Sequence, residues 1–496
     1  MNKTEKEALT KIGKGAIIIL IGFILAKLLA LVKTIVLARG LGTSGYGVFS
    51  MAFTIITILS IVCLFGLSQG IVHFIAKNEK NKKRVGQAIK HVFSSVLAIS
   101  VVIAIALFFA KDYLAVFFNM PQLSSVMVLF AASLPFFALF ELFIGVFEGF
   151  TLMKHRTLLK DILFNVTLIL LSLLFLYLGL DLFGASLAFL LSYIIVFAIA
   201  FFIIVKRANF LKAEKDHKLR KQIFNFSWPI MLSSFIYYIL TKIDIMFLGH
   251  FTDPVTVGKY SVASDVSQML IVLNAVMLPI FFPVISNLFS KGKVMEAGNI
   301  FRKITKLLVA FTLPALVIFI VFSSEILRYL FGKDYSGAGV FLVILSFASF
   351  FALASGPIGM FLKSMNKPKW VLFNSLVALA LNITLNYILI IKIGAIGVAI
   401  ATLISIFSQN YLGIFEVWFF KKIQPYSLSL IRPVIVSIAI GVAAYYVKGV
   451  IAANLYTTIL LALAVLIVYG IYLLLDKRLI NLGYYLKYVR KINILK

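Results

Sequence analysis

The chain has 496 residues, of which 62% are hydrophobic and 48 are phenylalanine; no water-soluble fold could hide that much apolar surface. The formal charge of +29, from 47 Lys and Arg against 18 Asp and Glu, sits in short loops beside apolar runs. That placement argues against nucleic acid as a partner and for anionic lipid headgroups.

The apolar runs read as about fourteen transmembrane helices, each near or above the ~20 residues needed to cross hydrocarbon. In chain order they are 13–38, 46–76, 90–110, 123–150, 158–179, 183–205, 223–248, 260–287, 307–331, 340–362, 370–391, 394–419, 431–449 and 455–475. The first is too long for a signal peptide and lacks a cleavage pattern. Of the 47 Lys and Arg, 37 fall in alternate connections: the N-terminus, 77–90, 151–161, 206–222, 288–306, 363–369, 420–432 and the tail from 477. The opposite connections hold only Lys111, Lys259, Lys333, Lys392 and Lys448. Basic loops stay cytoplasmic during insertion, so both termini are expected in the cytoplasm and the chain in the cell membrane. The longest outer loops, 111–122 and 249–258, are too short for a soluble domain. Any work must be done within the bilayer.

The two halves echo each other. Lys33 precedes Gly47-Val48-Phe49-Ser50 as Lys242 precedes Gly258-Lys259-Tyr260-Ser261, and Phe164-Asn165 precedes Gly184-Ala185 as Phe373-Asn374 precedes Gly394-Ala395. The offsets for Lys33, Gly47, Asn165 and Gly184 are 209, 211, 209 and 210. An even number of helices per half makes this a parallel repeat about an axis along the membrane normal. The expected architecture is an all-α integral membrane protein with two pseudo-symmetric six-helix lobes around a central cleft. The N-lobe is 1–205 and the C-lobe 223–420, joined by the basic linker 206–222; 421–496 adds two helices and a basic tail.

A charge in hydrocarbon costs about 2.5–3.5 kcal/mol and often carries function. Lys27, Lys33 and Arg39 punctuate helix 1. At six-residue steps, each about 9 Å and 600° around the helix, they point in different directions. Arg39 just before Gly40-Leu41-Gly42 also reads as a charge on a helix C-terminus. Lys242 holds the repeat position of Lys33, and Asp244, two residues on, faces away from it. Either Lys could instead snorkel or pair with a neighbouring helix. Glu141 and Glu148 share a stripe with Gly145 and Gly149, a pattern that allows close helix approach. Glu141 reads equally as a partner for a buried Lys or as a proton site. Asp265 heads a polar stripe with Ser261, Ser264 and Gln268, on a helix that Pro279 and Pro283 can kink. Glu325 and Arg328 are spaced to pair with each other. Gln69, His73, Asn382 and Asn386 read as hydrogen-bonding or packing residues, and Cys63, the only cysteine, as a small core residue. With one cysteine there is no disulfide or Cys-based metal cluster. The dinucleotide-like Gly40-x-Gly42-x-x-Gly45 follows no strand and is discarded. So are the sequons at Asn165 and Asn382, which lie inside spans.

Ala38-Arg39-Gly40-Leu41-Gly42-Thr43-Ser44-Gly45-Tyr46-Gly47, Phe65-Gly66-Leu67-Ser68-Gln69-Gly70-Ile71-Val72 and Leu362-Lys363-Ser364-Met365-Asn366-Lys367-Pro368-Lys369 resemble stretches of Wzx-type polysaccharide biosynthesis flippases. These belong to the multidrug/oligosaccharidyl-lipid/polysaccharide exporter superfamily. The resemblance covers essentially the whole chain. It implies a transporter, not an enzyme, that carries a lipid-diphosphate-linked oligosaccharide to the outer leaflet by alternating access and can act as a monomer. It also implies membrane lipids and other polysaccharide-assembly proteins as partners. Lys27, Lys33, Arg39 and Lys242 would engage the diphosphate, a role that suits Lys and Arg. With no ATP-binding motif and no cofactor, drive would come from substrate supply or an H⁺ or Na⁺ gradient coupled through Asp244, Asp265 or Glu141. A peptidoglycan-precursor flippase and a multidrug exporter of the same superfamily remain open. A membrane glycan polymerase or ligase fits less well, because the outer loops are small and their acids isolated.

Overall fold

The computed structural model describes residues 3–78, 81–212, 217–451 and 454–476; for 3–24, 212, 217–218, 233, 237 and 273–280 only the backbone is described. The basic tail 477–496, part of the linker and the side chains of the N-terminal lysines lie outside the described residues. The elements in chain order are α1 (Lys3–Leu64), α2 (Leu67–Asn78), α3 (Lys82–Phe117), α4 (Gln122–Gly149), α5 (Met153–Arg156), a π-helical stretch (Thr157–Leu163) and α6 (Phe164–Tyr177). They continue with α7 (Asp181–Ala208), α8 (His217–Phe251), α9 (Pro254–Ser267), α10 (Val272–Ser290), α11 (Val294–Val321), α12 (Ser323–Phe331), α13 (Gly339–Ala354) and α14 (Ile358–Ser364). The last four are α15 (Pro368–Ile393), α16 (Ala395–Lys421), α17 (Ile431–Val450) and α18 (Leu455–Leu475). Among the described residues there is no strand.

Among the described residues, eleven helices are long and apolar enough to cross a membrane, and α8, bent by 42°, makes a twelfth. α1 counts once there but is divided at Gly42 (φ 66°). The pair α9–α10, broken by a 3₁₀ turn at Gln268–Ile271, completes the expected fourteen segments. The protein is a multi-pass membrane protein. Three local expectations change. The first span runs on past Arg39 to Gly42, so Arg39 sits in the last turn before the break rather than at the helix end. The second span breaks where Phe65 and Gly66 both take left-handed backbone, at φ 47° and 69°. The break in the eighth span comes at the 3₁₀ turn, while α10 runs through Pro279 and Pro283.

The chain divides into two compact units. The first described here spans Leu28–Val262 with Ile383–Val398. In lipid, helices gain little hydrophobic drive from meeting each other, so close packing of small residues decides which faces join. Gly145 of α4 approaches Ser68 of α2 so closely that a Cβ would lie 2.5 Å from the Ser68 carbonyl oxygen, and at Gly149 it would lie 2.9 Å from Ile75. The small-residue stripe read from sequence is therefore the α2–α4 contact. An aromatic cluster fills the neighbouring space: Phe189 lies 4.7 Å from Phe130 and 4.9 Å from Tyr193, ring centre to ring centre. Val102, Ile105 and Phe109 on α3 and Leu170, Leu173 and Leu174 on α6 point outward. Stripes like these suit contact with acyl chains.

This unit also contains a seam between the two sequence repeats. A Cβ at Gly47 would strike the Pro254 carbonyl oxygen, and one at Gly258 would strike the Thr43 carbonyl oxygen. Thr43 and Pro254, like Gly47 and Gly258, are 211 residues apart. The Ser50 hydroxyl donates to that of Ser261 at 2.8 Å, again across 211 positions. Residue i meets the mate of j while j meets the mate of i, which is the signature of a two-fold contact. Here it occurs within one chain.

The other unit comprises Met1–Lys27, Ala263–Asn382 and Ala399–Lys496. α11 is its spine. Phe301 of α11 stacks on Phe361 of α14 at 4.5 Å, and Val417 and Ile423 close the same cluster. Val309, Ala310 and Leu313 of α11 pack with Tyr469 and Leu473 of α18, which seats the two added C-terminal helices. Glu325 of α12 pairs with Lys448 of α17 at 2.8 Å. The pairing of Glu325 with Arg328 suggested by their spacing is replaced by this longer-range one.

Candidate functional site

The cations come first because the sequence made most of them. Lys27 and Lys33 are half-buried on the first segment of α1, and Arg39 is exposed. Lys242, on α8, is half-buried. Its Nζ lies 5.8 Å from the centre of the Phe53 ring, within reach of the negative ring face. No carboxylate among the described residues lies within ion-pair distance of it. Asp244 points elsewhere, as two residues of helix require.

Asp244 is 6% exposed. Its Oδ2 accepts from the Tyr260 hydroxyl at 2.8 Å, and its Oδ1 accepts from Asn386 Nδ2 at 2.9 Å. Three helices thus meet at one carboxylate: α8, α9 and the C-terminal part of α15. Two donors on an ionised acceptor hold it in one rotamer and offset part of its desolvation. Asp265, on α9, is half-buried, and Gln268 of its stripe reaches Ser264 at 3.5 Å.

Glu141 is not isolated. Lys160, raised from the π-helical stretch, meets it at 2.7 Å. Arg156 bridges Glu148 at 2.7 Å and Asp161 at 3.5 Å. Of the two readings open for Glu141, the ion pair is therefore the geometry found. The π-helical stretch re-aims Lys160 toward α4, a common use of this irregularity. Glu141 also borders a polar cavity of about 190 Å³ with Thr57, Ser60, Ser68, Gln69 and Tyr238. Ser68 donates to the Glu141 carbonyl at 3.1 Å. Hydroxyls and amides around such a space suit neutral polar ligands better than apolar ones. His73 stacks on Phe226 at 4.5 Å and serves packing.

Four participants were not singled out as site residues in the sequence. Tyr260 sits in a repeat motif but carried no charge to flag it. Phe53 is one of 48 identical residues. Glu416 and Asn374 meet at 2.9 Å on α16 and α15; Glu416 was visible as an acid inside a predicted span, the signal used for Asp244 and Glu141. No group of three or more His, Cys, Asp or Glu that could hold a metal occurs among the described residues.

Comparison with known proteins fits this arrangement. The family model described as polysaccharide biosynthesis protein matches residues 12–289, and the MatE model matches 229–388. A Haloferax volcanii protein named a probable low-salt glycan biosynthesis flippase, Agl15, is 27% identical over 188 residues, which is 38% of this chain and 40% of that protein. An uncharacterized membrane protein of Methanocaldococcus jannaschii is 24% identical over 486 residues, covering 93% of this chain and 94% of its own length. Among solved structures, a lipid II flippase, MurJ, in an inward closed conformation superposes with a TM-score of 0.75 at 18% identity, over 91% of this chain and 98% of that one. That likeness is one of fold. Since the first family model takes in more than half of the sequence, the chain belongs to the polysaccharide biosynthesis protein family, within the multidrug/oligosaccharidyl-lipid/polysaccharide exporter superfamily.

Proposed function

We propose that the protein is a flippase that moves a lipid-diphosphate-linked oligosaccharide from the cytoplasmic to the outer leaflet of the cell membrane by alternating access, with both termini in the cytoplasm. The observation that carries this is Lys242: a half-buried ammonium in a membrane helix, without a carboxylate in ion-pair reach among the described residues and held only against an aromatic ring. An unneutralised cation at such depth is costly unless an anion visits it. A diphosphate is such an anion, and charge-assisted hydrogen bonds to phosphate are among the stronger ones. Lys27, Lys33 and Arg39 are assigned to the same headgroup, and the polar cavity beside Glu141 is open to sugar hydroxyls. The name of the Haloferax relative, a glycan biosynthesis flippase, supports this reading. Coupling to H⁺ or Na⁺ is assigned first to Asp244, then to Asp265 and Glu141.

The test is flipping of a lipid-diphosphate oligosaccharide in proteoliposomes. Lys242→Ala should lower it by about 10–100-fold at unchanged protein level, while Lys242→Arg retains part. Wild-type flipping by Lys242→Ala would refute the assignment. A substrate panel separates the rivals. A peptidoglycan precursor shares the diphosphate, and its preferred transport would move the assignment to that substrate. Export of cationic drugs insensitive to Lys242→Ala would favour a drug exporter, in line with the MatE match.

A further inference from the structure

Glu416 is 6% exposed and lies five residues before the end of α16 at Lys421, about 7 Å along the helix. Its Oε2 accepts from Asn374 Nδ2 at 2.9 Å. Asn374 is 3% exposed, and its own Oδ1 is buried and meets no donor. Gly413, one turn before Glu416, admits the amide; even a Cβ there would stay 3.6 Å from Asn374 Nδ2. Val417 beside it packs into the apolar cluster of Phe281, Phe301, Ile358 and Phe361.

Counter-charges stay away. The basic residues on the packed elements are Lys363 on α14, Lys369 and Lys392 on α15, Arg302, Lys303 and Lys306 on α11, and Lys421 on α16; none of them makes an ion pair with Glu416. Arg302 donates to the Gln424 carbonyl at 3.1 Å instead. Lys422 and Lys367 lie over the rings of Trp418 and Phe420, at 4.2 and 4.6 Å. Tyr411 stacks on Phe407 at 4.0 Å, with Tyr426 beyond it at 6.4 Å.

Two separate anomalies meet here. An ionised carboxylate is buried without a cation, which is costly. An amide oxygen is buried without a donor, which costs again. One proton removes the charge and gives the amide oxygen a donor. A protonated Glu416 is neutral, and its O–H can donate to Asn374 Oδ1 once the amide is turned over, an orientation that heavy-atom positions do not fix. We propose that Glu416 and Asn374 form a proton-binding site in the membrane, separate from Asp244, Asp265 and Glu141. The site stands without any reading of the transported substrate.

The test is infrared difference spectroscopy of the purified full chain in lipid nanodiscs, titrated from acid to alkaline pH. The wild type should show a protonated-carboxyl stretch that Glu416→Gln lacks. Asn374→Leu keeps the acid but removes its hydrogen-bond partner, so it should shift that stretch to higher frequency, and it covers the case in which Glu416→Gln fails to fold. Spectra of both folded variants indistinguishable from wild type, or an Asn374→Leu spectrum unchanged where Glu416→Gln is lost, would overturn the proposal. Because no substrate is present, the outcome is independent of whether the chain flips glycolipids.

Discussion

The two repeats share one lysine and otherwise place their charges at different positions. Lys33 and Lys242 match, but the position equivalent to Asp244 in the first half is Ile35, at the same offset of 209. The positions equivalent to Lys27 and Arg39 in the second half are Ile236 and Leu248. Asn165 and Asn374 are both buried. Asn165, however, donates to the Asp161 carbonyl of its own helix at 2.8 Å, whereas Asn374 donates to Glu416. At an offset of 210, the mate of Glu416 is the exposed Lys206. Even the break between the first two segments of each half is made differently. Gly42 supplies a left-handed residue in one. In the other, Asp253 caps α9, its Oδ1 accepting from the Thr256 N–H and its Oδ2 from the Thr256 hydroxyl, both at 2.9 Å. Backbone packing tolerates little change at a close contact, while side-chain chemistry is free to diverge around it.

That contrast can be broken experimentally. The largest effect is expected at Lys242, where removing a charge-assisted contact worth about 1.5–3 kcal/mol lowers flipping by about 10–100-fold. Lys33→Ala in the same assay sharpens the comparison: an equal loss means the matched lysines act as a pair, and a silent variant leaves the work to the second half. Asp244→Ile, which writes the first half's residue into the second, takes one acceptor from the Tyr260 hydroxyl and one from the Asn386 amide. It should lower thermal stability in detergent by about 1.5–3 kcal/mol per lost hydrogen bond to the carboxylate, whereas Ile35→Val should be nearly silent. Gly47→Ala and Gly258→Ala each force a methyl against a backbone carbonyl across the seam. Each should destabilise by about 1–3 kcal/mol and by similar amounts; unequal losses would show that the seam is not symmetric in energy.

The smallest effect is at Asp253, where Ala removes an N-cap worth about 1 kcal/mol. Partial burial pushes the Asp253 carboxyl up, but hydrogen bonds from Thr256 and the Val255 backbone outweigh it and hold it below the usual Asp range. A carboxyl depressed in the folded state stabilises fully above its unfolded value of about 4 and loses that contribution as pH falls through the folded value. The gap between wild type and Asp253→Ala should therefore close on acidification, read as converging melting temperatures; a gap constant with pH would remove the cap.

Much of this was legible in the chain. Apolar runs and the alternation of basic loops depend on a solvent that tolerates neither bare backbone nor bare charge, so the spans were set by composition. The glycine at 145 and the repeat at 211 announced contacts later seen at Ser68 and Gly258. Glu416 was as visible as Asp244, an acid inside a predicted span. Only the Asn374 amide, 42 residues away, turns it inward. Lys448 reaches Glu325 across 123 residues and displaces the local i,i+3 partner, because a tertiary neighbour can offer better geometry than helix spacing does. The break at Gly42 was legible as the gap between the first two spans, whereas the one at Phe65 was hidden inside the second, because hydropathy is blind to φ.

A contact in which Thr43 and Gly47 answer Pro254 and Gly258 has an implication for how such a chain can be taken apart. Two half-length polypeptides, cut in the basic linker and made separately, already own complementary faces at that joint, and the same geometry would serve a pair of identical shorter chains. The joint thus has, within one chain, the geometry of a two-fold contact between two copies.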